Sequence, residues 1–444
     1  MEGGLNVPVE FVVCTQRGDT GKGRIVDHKL SSGRFRWNVR SKGGNNAGHT
    51  VKVGDQTIIL HLIPSGVLHS NVQLGLGQGM VIDPFALFQE VDELKTHGIE
   101  LEDRLWVSLG AKLVMPWDIT LDVAMDKARA AAQGREVKTG GGIGTTCRGI
   151  GPAYAHAASR DSLTVAHLLD PEILRQRLKV VVPIINRELK AFDCPETSVS
   201  EALNRCAPLR HRLCKIARPL HLGLANSLEK GEWVLAEGAQ GRFLSVDCGV
   251  SYPYCTSSVT TANGVFSGLG LPLKKEWLGP IVGIVKAYQT AVGNHPMPTL
   301  IGGEREEGIR QRGKEFGATT GRPRHCCWIN ALELRNGVWA NGCTEIVVTK
   351  LDVLDEEPDI PIACALELDG HTIMELPDTA VEYFRCKPVY NSHVSPGWLT
   401  SIQQARRIGD LPANARDYLA VLERIADVPI TGVSVGPERD QFCT

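Results

Sequence analysis

The sequence predicts an α/β protein built on one large, mostly parallel central sheet flanked by helices. Two observations carry this. Short apolar runs stand beside loops at Phe11-Val12-Val13, Val234-Leu235, Ile281 to Val285 and Ile346 to Val348, the look of strands buried on both faces. Segments with helical spacing alternate with them along the chain.

The first run leads into Gln16 to Arg24, QRGDTGKGR, and then into a helix-like segment from Ile25 to Leu30. Strand, glycine-rich turn, lysine and helix is how a chain cradles a phosphate group. Turn amides point at the oxygens, the helix N-terminus adds positive potential, and the lysine supplies a full charge. The run is shorter than GxxxxGK[ST], and Asp19 stands three residues before Lys22. An acid there faces a metal or a reacting group, or else caps the helix that begins near Gly23. The loop alone leaves both readings open.

Gly43 to Thr50, GGNNAGHT, is too glycine-rich for a strand and presents two asparagines, a histidine and a threonine from a loop. Asp83-Pro84 is an N-cap followed by proline at the first helical position. Phe85, Phe88, Val91 and Leu94 then repeat at helical spacing, and Gly98 closes the helix. Residues 133 to 152 and 237 to 264 lack periodicity and read as long loops of the kind that build sites. Leu366 to Ile373, with Asp369-Gly370 at its middle, reads as a hairpin. Tyr418, Val421, Leu422 and Ile425 mark a late amphipathic helix. No internal repeat or linker interrupts the chain, so residues 1–444 are expected to form a single domain with inserted loops.

Composition bounds the function. With 43% hydrophobic and 22% charged residues the chain is an ordinary globular protein. A net charge of −2 gives no sign of a nucleic-acid surface and no nucleic-acid partner is expected, so any phosphate site is local. Thirteen cysteines, an odd number without a CxxC pair, read as small buried hydrophobes in a reducing compartment. The acidic N-terminal stretch is no signal peptide and no apolar run approaches a membrane span. A cytoplasmic protein with no membrane partner is expected.

Seven motifs complete the pattern: GGNNAGHT, HLIPSGV (His61 to Val67), GTTCRGIGPAY (Gly144 to Tyr154), EGAQG (Glu237 to Gly241), YPYCTSSVTT (Tyr252 to Thr261), FGATTGRPR (Phe316 to Arg324) and TKLDVLD (Thr349 to Asp355). In this order, from about residue 11 to about 440, the chain resembles the adenylosuccinate synthetase family. That resemblance implies its P-loop-NTPase-like fold and a GTP-dependent ligase joining L-aspartate to the 6-position of IMP through a 6-phosphoryl intermediate. Asp19 matches the base that takes the N1 proton, His49 the histidine that assists phosphoryl transfer, and Lys22 the loop lysine. A carboxylate is a weak base for that proton, so the charge developing on O6 must be stabilised at the same moment. Mg²⁺ would be held by Asp19 and the carbonyl of Gly48.

For GTP, the resemblance implicates Gly21, Lys22, Gly23, Lys350, Asp352 and Gly436. A carboxylate such as Asp352 accepts both N1–H and the 2-amino group of guanine, a pair adenine lacks. For IMP it implicates Asn46, Thr146, Arg160, Gln240, Thr256 and Arg322, with Arg160 acting across a homodimer interface. For L-aspartate it implicates Thr320, Arg322 and Arg324, whose guanidiniums suit two carboxylates.

The chain also departs from the family. QWGDEGKGK has become QRGDTGKGR, so that Arg17 and Thr20 add positive and remove negative charge beside a triphosphate. Lys42, Ala291, His295, Met297, Leu300 and Cys147 are further departures, and an insertion lies near Gly134 to Gly142. These changes leave two alternatives: a paralogue acting on an IMP-like analogue in specialised metabolism or inhibitor resistance, and a guanine-nucleotide-binding relative without turnover. Asp19 speaks against the branch that acts on dGMP.

Overall fold

Parallel strands covered on both faces need apolar side chains on both, and the central sheet has them. The computed structural model describes residues 8–53, 56–137, 141–317, 321–390 and 395–444, with backbone alone at 50–53 and 56–57. The sheet has ten strands: β1 Val9–Cys14, β2 Phe35–Arg40, β3 Gln73–Leu76, β4 Leu105–Ser108, β5 Ala217–Arg218, β6 Trp233–Glu237, β7 Leu278–Lys286, β8 Glu345–Thr349, β9 Ile430–Ser434 and β10 Phe442–Cys443. In space they run β10-β9-β8-β7-β1-β6-β2-β3-β4-β5. All neighbours are parallel except β10, which closes one edge antiparallel to β9.

β1 is central, with Phe11 opposite Ala236 of β6 and Ile281 of β7. Val9, Phe11 and Val13 enter one core with Val234, Ala236, Val285, Ile346 and Val348. Val12 enters the core of the other face with Leu235, Val282, Ile284 and Val347. The period of two divides each strand between two apolar layers, which is why the runs carry no polar alternation. Glu10 is the exception; it is buried and paired with Lys29 Nζ at 2.7 Å and with Arg34.

Helix α1 (Lys22–Leu30) follows β1 directly and starts three residues before Ile25, where helical character was first legible. Helix α2 (Pro84–Thr96) opens as expected. The Asp83 side chain accepts from Phe85 N at 2.9 Å and Ala86 N at 3.1 Å, and Gly98 (φ 74°) ends it. Helices α3 (Pro116–Ala132) and α4 (Ile150–Ser159) pack together. The loop read as 133 to 152 therefore stops at Gly149, whose left-handed φ of 74° caps α4. The hairpin about Asp369-Gly370 and the late helix Ala413–Ala426 are present.

One expectation fails at its edge. The glycine-rich loop ends at Gly48, and His49 opens a strand, His49–Val53, antiparallel to Gln56–Leu60. All thirteen cysteines are free and eight are buried, as small hydrophobes would be. Among the described residues no helix is long and apolar enough to cross a membrane.

Every motif loop near the sheet leaves the carboxyl end of a strand: 15–21 after β1, 41–48 after β2, 238 onward after β6, and Lys350 after β8. Loops from neighbouring parallel strands converge there, and a crevice at that edge is where such sheets bind ligands.

Candidate functional site

The loop after β1 turns tightly because three of its residues are left-handed: Gly18 (φ 88°), Asp19 (φ 52°) and Gly21 (φ 77°). Gly18 stands beside the next loop, where a Cβ would make ordinary contact with Gln240 Cα at 3.5 Å, so its left-handed φ is what calls for glycine. Gly21 is the N-cap of α1, no side chain caps that helix, and its first turn carries no acid. A helix N-terminus of this kind attracts an anion. The capping alternative for Asp19 is thereby excluded: its carboxylate Oδ2 instead lies 3.0 Å from Arg324 Nη2. Asp19 keeps 38% side-chain exposure while Arg17, Gly18, Thr20 and Lys22 around it are buried. Lys22 Nζ donates to the Gln240 carbonyl at 2.7 Å, joining the loops after β1 and β6. Thr20 O accepts from Thr349 Oγ1 at 2.8 Å, joining the first loop to the end of β8.

Arg17 does not add charge to this site, contrary to the reading of its sequence. It points into the core, where Nη1 and Nη2 donate to Glu333 at 2.8 Å and 2.5 Å, and Glu333 Oε1 also accepts from Tyr383 OH at 2.5 Å. Glu333 neutralises it.

His49 is buried against Glu237, the last residue of β6, and its Nδ1 bonds Glu237 Oε1. Ser65 secures the same carboxylate through its Oγ at 2.6 Å and its N–H at 2.8 Å. Burial pushes Glu237 up, but His49 and the Ser65 donors outweigh it and hold the carboxyl at about 2. Burial lowers His49, against the attraction of Glu237. A neutral imidazole donating Nδ1–H to a carboxylate follows, the arrangement that fixes a histidine's tautomer. Glu90 holds the loop beneath by accepting from the N–H groups of His61 (3.2 Å), Leu62 (2.9 Å) and Ile63 (3.0 Å). Gly44 lets this loop pass α4, since a Cβ there would lie 2.6 Å from Ile150 Cδ1. Asn46 Oδ1 accepts from Gly44 N at 3.3 Å, and Gly48 immediately precedes His49.

From the first turn of α1, Arg24 reaches the loop after β9, donating to Gly436 O, Ser434 Oγ, Glu438 O and Gln441 O. Arg439 clamps that loop onto Asp27 of α1 with two bonds of 2.7 Å. Asp352 stands in the turn Leu351–Leu354 after Lys350 (φ 57°). Burial raises its carboxyl, against the nearby Lys350 and Arg24. Gly21, Lys22, Gly23, Lys350, Asp352 and Gly436 thus surround the N-terminal half of α1.

The loop bearing Thr146 is held by two acids of α3. Asp126 accepts from Gly142 N and Ile143 N at 3.2 and 3.0 Å, and Asp122 from Thr145 Oγ1 and Gly149 N, both at 3.0 Å. Gln240 (φ 52°) gives its carbonyl to Lys22, and Thr256 N donates to Leu244 O at 2.8 Å. Arg160 is exposed at the C-cap of α4. Arg322 is half-buried and its carbonyl accepts from Gly317 N at 2.8 Å. Thr320 lies outside the described residues.

Among the described residues no group of three or more His, Cys, Asp or Glu side chains could hold a metal. A divalent ion here would depend on Asp19, a carbonyl such as that of Gly48, and oxygens brought by a ligand, a donor set typical of Mg²⁺ with phosphates. Sequence reasoning assigned no role to Glu237, Ser65, Glu315 or Lys286. Glu237 and Ser65 lie in the quoted EGAQG and HLIPSGV motifs, so a signal existed for them; none pointed to Glu315 or Lys286.

A family model described as adenylosuccinate synthetase matches residues 11–443. The chain is 39% identical over 443 residues to the adenylosuccinate synthetase of Salinibacter ruber, covering 99% of this chain and 98% of that one. It is 41% identical over 444 residues to that of Mycobacterium marinum, covering 98% and 97%. Among solved structures, fully ligated adenylosuccinate synthetase from Plasmodium falciparum superposes with a TM-score of 0.89 at 32% identity, covering 98% of this chain and 99% of the other.

Proposed function

Because the chain belongs to the adenylosuccinate synthetase family, and is a GTP-dependent ligase joining L-aspartate to IMP for AMP biosynthesis, we propose that Asp19, Lys22 and His49 carry its chemistry. One observation carries this assignment: in a loop whose other side chains are buried, Asp19 keeps its carboxylate accessible, between the α1 N-terminus and Arg324. Asp19 takes the N1 proton of IMP as O6 attacks the γ-phosphorus of GTP. The bond from that phosphorus to the β,γ-bridging oxygen breaks and GDP leaves. The amine of L-aspartate then adds at C6 of the 6-phosphoryl nucleotide, loses a proton, and phosphate departs.

Lys22 and the uncapped amides of α1 hold the phosphates. His49, kept in one tautomer by Glu237, meets the transferring group. Mg²⁺, on Asp19 and the Gly48 carbonyl, would neutralise phosphate charge. Lys350 packs on guanine, Asp352 reads its N1–H and 2-amino group, and Gly436 lies in the loop that borders it. Asn46, Thr146, Gln240, Thr256 and Arg322 hold IMP. Thr320, Arg322 and Arg324 hold L-aspartate.

Arg160, exposed at the end of α4, reaches the IMP phosphate of a second copy in a homodimer. The two cores share one sheet, which supports a single domain over residues 1–444, and membership of a biosynthetic enzyme family supports a cytoplasmic location. The Arg17 departure, which the sequence reading set against IMP, is compensated by Glu333 and gives no ground for another substrate. A coupled phosphate-release assay tests the proposal. Release should require IMP, GTP, L-aspartate and Mg²⁺ together, and release without IMP would defeat it.

A further inference from the structure

Behind the proposed site lies a buried cluster whose hub, Glu315, has no part in the reaction as described. Glu315 is fully buried, and its two oxygens gather cations from three separate segments. Oε1 accepts from Lys286 Nζ at 3.0 Å, Lys350 Nζ at 2.8 Å and Tyr288 OH at 2.6 Å. Oε2 accepts from Arg324 Nη1 at 2.6 Å, while the other terminal nitrogen of Arg324 meets Asp19 Oδ2 at 3.0 Å.

The backbone reinforces the arrangement. Arg324 N donates to Glu315 O at 2.9 Å, Lys350 Nζ also donates to the Gly313 carbonyl, and Gln16 Oε1 accepts from Lys286 N at 3.1 Å. Burial pushes Glu315 up, yet Lys286, Lys350 and Arg324 overcome it and hold the carboxyl far below the usual carboxylate range. Lys286, fully buried beside them, is lowered to about 8 by burial, against the attraction of Glu315. Three cations and two carboxylates, Glu315 and Asp19, share one small volume.

Resting on the roles proposed above for Lys350 and Arg324, we infer that Glu315 is a positioning residue that sets the guanine site and the aspartate site together. Lys350 cannot present its stem to a guanine ring unless its ammonium is anchored, and Glu315 with Gly313 O is that anchor. Arg324 cannot face an incoming carboxylate in one orientation unless its other edge is fixed, and Oε2 fixes it. One carboxylate thus aligns a residue of each of two substrate sites. It contacts neither substrate, so its effect is on their binding.

Steady-state kinetics of Glu315→Gln on the full-length enzyme test this. Whichever way the amide turns, one of its edges meets a cation with an N–H. The edge with more donors takes the oxygen, so Arg324 loses most. The KM for L-aspartate should rise about tenfold or more and that for GTP about threefold or more, as expected when charge-assisted bonds become neutral or repulsive. The KM for IMP should stay within about threefold. A merely structural role would lower kcat through the active fraction and leave every KM in place. Glu315→Asp, which retains the buried charge on a shorter stem, should fall between wild type and Gln. It carries the same test, with the same pair of KM values raised, if the Gln variant does not fold.

Unchanged KM values for GTP and aspartate, a rise in only one of them, or an equal rise for IMP would overturn the inference. Asp352→Asn in parallel separates its failure from failure of the underlying reading. If Asp352→Asn weakens GTP and Glu315→Gln does not, only the inference falls; if Asp352→Asn leaves GTP unchanged, the guanine site itself is wrongly placed.

Discussion

Removing the charge of Glu333 while leaving Arg17 in place should be among the most damaging single changes in the core. The two side chains are 2% and 1% exposed, and both terminal nitrogens of Arg17 spend their hydrogen bonds on Glu333. Beyond that partner, Arg17 has the Pro296 carbonyl at 3.4 Å, the Phe243 ring 5.1 Å away and the neutral Tyr383 hydroxyl, none of which can replace a carboxylate. Glu333→Leu would strand a guanidinium in an apolar layer, at a cost of about 3–5 kcal/mol. Arg17→Met with Glu333→Leu removes both charges and fills the space with apolar groups of similar size, so that the remaining cost, about 1–3 kcal/mol, is the Tyr383 hydroxyl left without its acceptor. Denaturant midpoints of wild type, both single variants and the double variant give the coupling energy directly. A coupling of at least about 2 kcal/mol is expected, with the double variant more stable than Glu333→Leu. If the double variant instead loses the sum of the singles to within about 0.5 kcal/mol, Glu333 does not neutralise Arg17 and the compensation argument fails.

Three further outcomes follow from the geometry. Glu237→Gln should lower kcat about a hundredfold with the KM for GTP little changed, since it frees the tautomer of His49 without touching a nucleotide contact; a kcat within threefold of wild type would remove Glu237 from the account. Asp352→Asn should raise the KM for GTP about ten- to a hundredfold while that for IMP stays put, the cost of replacing a carboxylate that accepts two guanine donors. His156 bonds Asp118 at 2.7 Å and Glu188 at 3.0 Å; burial opposes its charge, but the two carboxylates raise it to about 9. Its folded value lies above the unfolded one, so its stabilisation is complete below about pH 6.5 and lost as pH rises through about 9. Solvent screens the exposed Glu188, so about 1–2 kcal/mol is at stake. Denaturation midpoints across that range should fall in wild type and fall less in His156→Gln, and parallel slopes would contradict the assignment.

What the sequence revealed and what it hid divide along physical lines. Strands such as β1 and β8 are legible because burial on both faces leaves unbroken apolar runs, and α2 is legible because its cap, proline and closing glycine are local signals. The start of α4 was hidden by the glycines around it; only tertiary packing of Ile150 and Ala153 against Val81 and Val114 turns that stretch helical. His49 was read as a loop residue for the same reason, although it opens a paired strand. The loop residues Asp19, Lys22 and Gln240 were legible as motifs. Their joining, Lys22 to Gln240 across 218 residues, is a property of the sheet order alone. Arg17 was misread because its partner stands 316 residues away in α-helical sequence that carries no mark of a site. Glu315 was passed over for a similar reason: an acid before FGATTG becomes a hub only when Lys286 and Lys350 arrive from two other strand ends.

The central claim is that Asp19 takes the N1 proton so that O6 of IMP can be phosphorylated before aspartate enters. Positional isotope exchange measures that step alone. GTP carrying ¹⁸O in the β,γ-bridge is incubated with enzyme, Mg²⁺ and IMP without aspartate, and ³¹P NMR follows movement of the label to non-bridging positions on the β-phosphorus. The wild-type enzyme should scramble the label only when IMP is present, and Asp19→Asn should bind GTP yet scramble none. Undiminished scrambling in Asp19→Asn, or scrambling by wild type without IMP, would contradict the account.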